Sequence, residues 1–230
     1  KNNRQRLVLD CRATNAMFRD PPDMELAGAA SLERLAIPGR QVLYCAQAGI
    51  ENCFYQIRLP LWLLPYFTFE PVSVVEAVGI GFFTNVPEGF SLAPSGFVTP
   101  ALEVLPMGFN CSFYFVQMLH VDTLDVAGFP LAQRLTGFWP APSKLRKAVA
   151  LPYCHNIIIL ALTEQEANDG LNRAMLGLEG LGFGLHDVEL ASTEARILGI
   201  ELNGVTGVIR RDRKRAWLLR SALLLVLSPR

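Results

Sequence analysis

A polar tetrapeptide interrupts one of the most apolar stretches of the chain. The stretch "LPYCHNIIIL", Leu151–Leu160, places Tyr153, Cys154, His155 and Asn156 directly before three isoleucines. A run of β-branched residues of this length favours a buried strand over a helix. Polar residues at the mouth of such a strand usually belong to a turn or to a functional site, so this segment is the first candidate for chemistry.

Thiol and imidazole groups are soft-metal ligands, and Cys154 and His155 supply one of each. However, adjacent residues of a strand point to opposite faces of the sheet. His120 and His186 do not stand at a metal-pair spacing from them or from each other. We therefore predict no metal at this position, and no Ser-His-Asp or Cys-His catalytic constellation is evident elsewhere. His186 is expected to be a surface or capping residue.

Basic residues are concentrated near the two ends of the chain, at 1–19 and at 210–220. The run "RRDRKR" can contact a nucleic-acid backbone through the side chains of Arg210, Arg211, Arg213, Lys214 and Arg215. It can equally be a solvated helix start or a localisation signal. The chain carries 21 basic and 21 acidic residues, so no global field attracts it to nucleic acid or to a membrane.

The composition describes a folded protein with a large core. Of the 230 residues, 51% are hydrophobic and 18% are charged, which excludes a disordered chain. The apolar share exceeds what an isolated domain needs, so we expect a partner or a further domain to cover part of the surface.

The lack of a signal peptide and the pattern of cysteines predict an intracellular protein, cytoplasmic or nuclear, that does not enter a membrane. The five cysteines are odd in number and lack zinc-site spacing, so reduced thiols are expected. No signal-peptide core and no apolar span of about 20 residues is present. The chain begins without Met and ends in a helix-like run, which we interpret as a fragment of a longer protein.

Strands and helices alternate along the first half of the chain. We predict strands in "RLVLDCR" and "QVLYCAQAGI", a helix in "ELAGAASLERL", and a helix from Ser112 to about Val126. The Pro- and Gly-punctuated region from Phe67 to Pro106 suggests hairpins and connecting loops.

The second half is predicted more clearly. "TEQEANDGLNRAMLGLEGLG" has an acidic first turn, an apolar stripe and a stop at Gly182, as an amphipathic helix does. "ARILGIELNG" is predicted as a strand that ends at a favoured Asn203-Gly204 turn, with "VTGVI" as its partner. A helix is predicted from Asp212 to Leu227. Without a Gly-rich phosphate loop, a mixed α+β fold is favoured over a doubly wound one.

Six segments in this order resemble the fingers and palm of a reverse transcriptase of the retroelement kind. They are "RLVLDCRATN", "AQAGIENCFYQIRLP", "LPMGFNCSFYFVQ", "PYCHN", "LEGLGFGLH" and "ILGIEL". The resemblance implies an antiparallel palm sheet packed on helices, with partial fingers and no thumb. It implies partial fingers at 1–44, a palm at 45–209 with a fingers insertion at about 61–104, and a basic helix at 210–230 leading to a missing thumb or connection.

The resemblance also assigns roles to single residues. Arg12 would grip the triphosphate of a nucleotide, although an ion pair with Asp10 is an equal alternative. Phe54 would screen the sugar 2′ position, and either Phe54 or Tyr55 should be core. The positions that would bind template and nucleotide are Pro106, Met107, Gly108, Ser112 and Tyr153. The hairpin that would grip the primer contains Leu198 and Gly199.

An apolar face is predicted near the end of the chain. Its residues, expected to be core or the base of a missing thumb, are Trp217, Leu218, Leu224 and Leu225. The expected partners are an RNA or DNA template–primer, held weakly, and the remainder of a larger polyprotein.

The departures from the family fall on its metal ligands. Active members use two Mg²⁺ ions, which demand hard oxygen ligands. In this chain, Gly49, His155 and Asn156 occupy the positions of the three metal-binding aspartates. Loss of two carboxylates would slow nucleotidyl transfer roughly 10⁵-fold or more. The sequence thus predicts an inactive reverse-transcriptase-like domain that needs no cofactor.

Two alternatives stay open. The chain can be a nucleic-acid- or protein-binding module that uses the old template cleft. It can also be a residual polymerase in which Glu51 replaces the lost carboxylate, provided that the strand is still extended two residues beyond Gly49.

Overall fold

The computed structural model describes residues 9–24, 26–81, 96–137, 145–212 and 216–222. These residues divide into two compact units. The described parts of Lys1–Asp20 and Phe54–Ser112 form the first unit, and those of Pro21–Cys53 and Phe113–Arg230 form the second. The fingers and palm boundaries stay a prediction.

The described part of the chain contains six named helices and nine strands. The helices are α1 (Arg12–Asn15), α2 (Ala29–Glu33), α3 (Cys53–Gln56), α4 (Val74–Gly79), α5 (Ser112–Val126) and α6 (Glu164–Gly180). The strands are β1 (Tyr44–Ile50), β2 (Val72–Ser73), β3 (Phe97–Val98), β4 (Val149–Tyr153), β5 (Asn156–Ala161), β6 (Leu185–Ser192), β7 (Glu194–Ile197), β8 (Ile200–Asn203) and β9 (Val208–Arg211). Short 3₁₀ helices occur at Leu61–Phe67 and Leu131–Gln133.

A four-stranded antiparallel sheet is the centre of the second unit. Its strand order is β4-β5-β1-β6. The isoleucine run lies in β5, where Ile157, Ile158 and Ile159 are each at most 1% exposed. Central strands with both faces covered need apolar side chains on both faces, which explains why the run does not alternate with polar residues. The predicted strands β1 and β5 are confirmed.

Helix α6 covers one face of this sheet. Thr163 caps it, since the hydroxyl oxygen accepts a hydrogen bond from the Glu166 N–H at 3.2 Å, and Glu164 and Glu166 complement the helix dipole. Gly170 allows close approach, because a Cβ there would lie 2.9 Å from the Ile159 side chain. The predicted amphipathic helix is therefore confirmed, as is α5 with its bounds at Ser112 and Val126.

A three-stranded sheet, in the order β7-β8-β9, contributes to the core on the other face. The core there includes Leu43, Cys45, Ile158, Leu160, Ile197 and Leu202. Leu198 and Gly199 join β7 to β8 with φ angles of 51° and 78°. Two positive φ angles are what a tight hairpin turn requires. The prediction of one strand through "ARILGIELNG" is wrong for this reason. A turn follows Asn203 as predicted, but it spans residues 204–207, so only Val208 and Ile209 of "VTGVI" belong to the partner strand.

The first unit is formed mainly by loops, short helices and aromatic contacts. Phe18 packs edge-on against Tyr66 and Phe109, with ring centroids 4.9 and 5.2 Å apart, and Phe67 packs against Phe109 at 5.1 Å. Edge-to-face pairs at this separation stabilise beyond their buried area. Strands β2 and β3 pair antiparallel, as the predicted hairpins require.

Three predicted elements differ from the structure. The strand expected through Arg12 is absent from residues 9–12, because the Asp10 carboxylate accepts the Arg12 N–H and the chain turns into α1. The helix expected in "ELAGAASLERL" is limited to Ala29–Glu33. Of the helix expected from Asp212 to Leu227, the described part 216–222 is helical.

Among the residues that the structure describes, no helix combines the length and the apolar character that crossing a bilayer requires.

Candidate functional site

The polar tetrapeptide forms a β-hairpin in the second unit. Tyr153 at the end of β4 pairs with Asn156 at the start of β5, and Cys154 and His155 form the two-residue turn. Cys154 has a φ of 52°, as the first position of such a turn requires. The interpretation of this segment as a turn between two buried strands is confirmed.

Helix α5 holds the hairpin from behind. The Gln117 side chain donates a hydrogen bond to the Pro152 carbonyl at 3.1 Å and accepts one from the Cys154 N–H at 2.7 Å. His120, one turn further along α5, places Nδ1 3.0 Å from the Cys154 carbonyl oxygen. Gln117 is 2% exposed and His120 is 1% exposed, so these bonds form away from water. We call the two side chains the hairpin latch.

His120 is neutral in the folded protein. Burial is the main cause that lowers its pKa to about 4, and the positive charges of Arg134 and His155 act in the same direction. The hydrogen bond to Cys154 opposes the shift but does not cancel it. The sequence-based reasoning missed both latch residues. Their signal was the spacing of Gln117 and His120, which are three residues apart in a predicted helix and therefore on one face of it.

Four residues form a row across the sheet at the level of the hairpin. Tyr153 pairs with Asn156, Asn156 with Gly49, and Gly49 with His186. Residues directly opposite each other in antiparallel strands share one face of the sheet. Along this row, Tyr153 supplies a hydroxyl, Asn156 an amide and His186 an imidazole, whereas Gly49 has no side chain. The structure thus brings together Gly49, Asn156 and Tyr153, to which the resemblance assigned roles, and adds His186.

This row does not fit a pair of Mg²⁺ ions. Gly49 offers no side chain, and the Asn156 amide donates to the Tyr153 carbonyl oxygen at 3.4 Å. His155 is an exposed imidazole in the turn. Mg²⁺ in phosphoryl-transfer sites is held by carboxylates, and none stands at these positions. Among the described residues, no group of three or more His, Cys, Asp and Glu side chains could hold a metal.

Glu51 could share a sheet face with Gly49 only if strand β1 continued to residue 51, and it does not. Strand β1 ends at Ile50, and Glu51 lies in a turn in which Asn52 has a φ of 44°. The Glu51 N–H donates to the Gly184 carbonyl at 2.8 Å. Because the strand is not extended there, the argument that Glu51 and Gly49 share a face fails. The role of Glu51 in a residual polymerase stays a prediction without its geometric support.

In the first unit, Arg12 is engaged by a neighbouring acid. Its guanidinium makes three hydrogen bonds to the Asp10 carboxylate, two from Nε at 2.8 and 3.1 Å and one from a terminal nitrogen at 2.6 Å. These bonds lower the pKa of Asp10. Of the two predicted alternatives, the structure forms the ion pair. The Arg12 side chain is 90% exposed, so the pair is open to solvent and weak.

The segment predicted to bind template and nucleotide is a compact loop of the same unit. Ser112 donates from its hydroxyl to the Pro106 carbonyl at 2.7 Å. Gly108 has a φ of 114°, and a Cβ there would lie 2.7 Å from the Leu9 carbonyl oxygen, so glycine is required. The Asn15 side chain donates to the Gly108 carbonyl at 3.0 Å. Met107 is half-buried. The template-binding role of this loop stays a prediction.

Two aromatic residues differ from expectation. Phe54 and Tyr55 lie in the short helix α3 and not on a palm strand, because β1 has already ended at Ile50. Both are half-buried, so the expectation that one of them is core is wrong.

The basic and apolar residues near the end of the chain are exposed where the structure describes them. Arg210 and Arg211 are exposed at the end of β9, and Arg213, Lys214 and Arg215 lie outside the described residues. Trp217 and Leu218 are 68% and 62% exposed, so the core assignment is wrong for them. Leu224 and Leu225 lie outside the described residues. Leu198 and Gly199 form the expected hairpin turn, but its role in gripping a primer is untested.

Comparison with known proteins gives structural matches. The sequence matches no protein-family model and no curated protein. The foamy viral protease–reverse transcriptase, solved in complex with double-stranded DNA, is 17% identical, with a TM-score of 0.60 over 98% of this chain. Telomerases from Candida albicans and Candida tropicalis match 75% of this chain at 10% and 12% identity, with TM-scores of 0.42 and 0.45. Those two scores are too low to indicate a shared fold.

The match to the foamy viral protein shows that this chain has a reverse-transcriptase-like fold. The chain spans 31% of that viral chain. It also spans 31% and 36% of the two telomerase chains.

Proposed function

We propose that this chain is a reverse-transcriptase-like domain of retroelement origin that does not catalyse nucleotidyl transfer. The observation that carries the proposal is the register of the palm sheet. Gly49 and Asn156 are paired directly opposite each other at the hairpin. At these two proposed metal-binding positions, Asn156 offers an amide side chain and Gly49 offers no side chain. Because the hairpin and the hairpin latch are both formed, the proposed inactivity follows from missing metal ligands and not from a disrupted fold.

The chemistry explains why such a site is inactive. Phosphoryl transfer depends on positioning and on electrostatic stabilisation, most of which the metal ions supply. An amide is a weaker ligand for a hard dication than a carboxylate, and a glycine supplies none. Loss of two carboxylates, at several kcal/mol each, slows the reaction roughly 10⁵-fold.

Primer extension on an RNA template tests this proposal. The native chain and a Glu51→Ala variant are assayed with Mg²⁺ and with Mn²⁺, beside an active retroviral reverse transcriptase. We expect no extension by either chain above the level without protein. Extension by the native chain that disappears in Glu51→Ala would refute the proposal and identify Glu51 as the substitute ligand.

A second candidate function is the binding of nucleic acid without chemistry. It is favoured by Arg210 and Arg211, two consecutive exposed residues at the end of β9. Guanidinium groups pair readily with phosphate, and each neutralised phosphate makes binding more sensitive to salt. The zero net charge of the chain keeps the expected affinity low. Contacts made by the remainder of a larger polyprotein would increase this affinity.

Fluorescence anisotropy with a labelled RNA–DNA duplex tests this second function. We expect Arg210→Ala/Arg211→Ala to weaken binding and to reduce its salt dependence, whereas Arg40→Ala, which removes another exposed arginine, should change neither. Equal binding by all three proteins would exclude these two arginines as the contact.

A further inference from the structure

His186 and Gly49 occupy one position in the site. They are directly paired between β6 and β1. A Cβ placed on Gly49 would lie 2.8 Å from Nε2, 3.1 Å from Cε1 and 3.3 Å from Cδ2 of His186. Real Cβ atoms essentially never approach another heavy atom more closely than 3.0 Å. The imidazole therefore lies in the space that any side chain at position 49 would enter.

Local structure holds the imidazole in that place. Nδ1 of His186 lies 2.8 Å from the Asp187 carboxylate, which orients the ring and leaves Nε2 towards Gly49. Asp187 has a φ of 49°, and the register of β1 and β6 shifts between Gln47 and Gly49. A bulge of this kind re-aims the side chains around it. Gly49 is complementary to this arrangement because a side chain at position 49 would have to displace the ring.

We propose that His186 blocks the position of the first metal-binding carboxylate, so that Gly49 and His186 are a matched pair. This inference rests on the proposed function, in which Gly49 marks a lost metal ligand. Its consequence is that a carboxylate restored at position 49 meets Nε2 of His186 before it meets a metal. The ring fills the space through which that carboxylate would reach a metal, so the imidazole must be displaced before the carboxylate can act as a ligand.

Binding of Mn²⁺, measured by electron paramagnetic resonance, tests the block without any requirement for activity. The rebuilt variant Gly49→Asp/His155→Asp is compared with the same variant carrying His186→Ala. A third variant carries Leu190→Ala, a change at an exposed residue of the same strand, as the matched control. We expect His186→Ala to tighten Mn²⁺ binding at least about 10-fold and Leu190→Ala to leave it unchanged. Equal affinities in all three would overturn the proposal.

Thermal unfolding keeps the proposal testable if the rebuilt variants do not fold. Gly49→Ala is introduced into the native chain and into His186→Ala. Gly79→Ala, at a glycine with open space around its Cβ position, is the control. We expect Gly49→Ala to lower Tm by about 2–4 °C in the native chain, the shift that one kcal/mol produces at this size. No lowering is expected in His186→Ala.

The two proposals fail in different ways. An equal decrease of Tm by Gly49→Ala in both backgrounds would show that the imidazole does not fill the position, whatever the native chain catalyses. Primer extension by the native chain would refute the proposed function and leave the steric relation of Gly49 and His186 intact.

Discussion

Acidification from about pH 7 to about pH 4 acts on the hairpin latch through His120. In the unfolded chain this imidazole takes up a proton near its ordinary pKa of 6.5, whereas burial lowers the pKa in the folded protein to about 4. Between these values the unfolded state binds more protons than the folded state. The free energy of unfolding must therefore decrease as the pH falls through this window, and the decrease ends below the folded pKa.

The size of the effect follows from the two pKa values. Their difference is about 2.5 units, and one unit corresponds to 1.36 kcal/mol, so full titration removes about 3 kcal/mol. A domain of ordinary stability has 5–15 kcal/mol in total, so the loss is readily measured. The groups that face His120 strengthen the argument, because Arg134 and His155 both oppose a further positive charge.

Urea unfolding at a series of pH values is the assay. The chain has three histidines, and His155 and His186 are exposed. We expect His120→Gln, which cannot titrate, to lose most of the decrease between pH 6.5 and pH 4. The control His155→Gln/His186→Gln should retain it. Carboxylates titrate in all three proteins, so the difference between them isolates the imidazole. The same pH dependence in His120→Gln and in the native chain would refute the reasoning.

Three further changes probe the core around the site. Gln117→Leu should lower the free energy of unfolding in urea by about 2–4 kcal/mol, because it leaves two buried backbone groups of the hairpin unpaired; no loss would mean that water replaces the side chain. Gly170→Ala should cost about 1–3 kcal/mol through its contact with the sheet, whereas Gly180→Ala, in open space, should cost little, and equal costs would contradict the packing. Burial raises the pKa values of Cys45 and Cys53 to about 12, so iodoacetamide at pH 8 should modify them after unfolding and not before; rapid labelling of the folded protein would show that the thiols are accessible.

Local patterns in the sequence were sufficient for several elements near the site. The isoleucine run predicted β5, the spacing of apolar residues predicted α5 and α6, and the polar tetrapeptide predicted the turn between β4 and β5. These features depend on neighbours in the chain, through β-propensity, helical periodicity and capping. The order of segments also predicted a reverse-transcriptase-like fold, which the structural match to the foamy viral protein supports.

Where local hydrogen bonds competed with a periodic pattern, the sequence-based prediction was wrong. The Asp10 carboxylate accepts the Arg12 N–H, and a helix starts where a strand was expected. Leu198 has a positive φ that divides the strand predicted from the residue pattern, where the resemblance had placed a hairpin. Such outcomes depend on which of two local structures the remaining contacts favour.

The sequence by itself determined that Gly49, His155 and Asn156 offer no carboxylate, because residue identity needs no coordinates. Only the tertiary structure decided which side chains surround them. Gln117 and His120 reach the hairpin because α5 packs behind it, and His186 covers Gly49 because a bulge in β6 aligns them. His120 and Gln117 are 34 and 37 positions from Cys154 in the chain, and Gly49 and His186 belong to strands whose register is set by packing, so their contacts leave no local pattern to read.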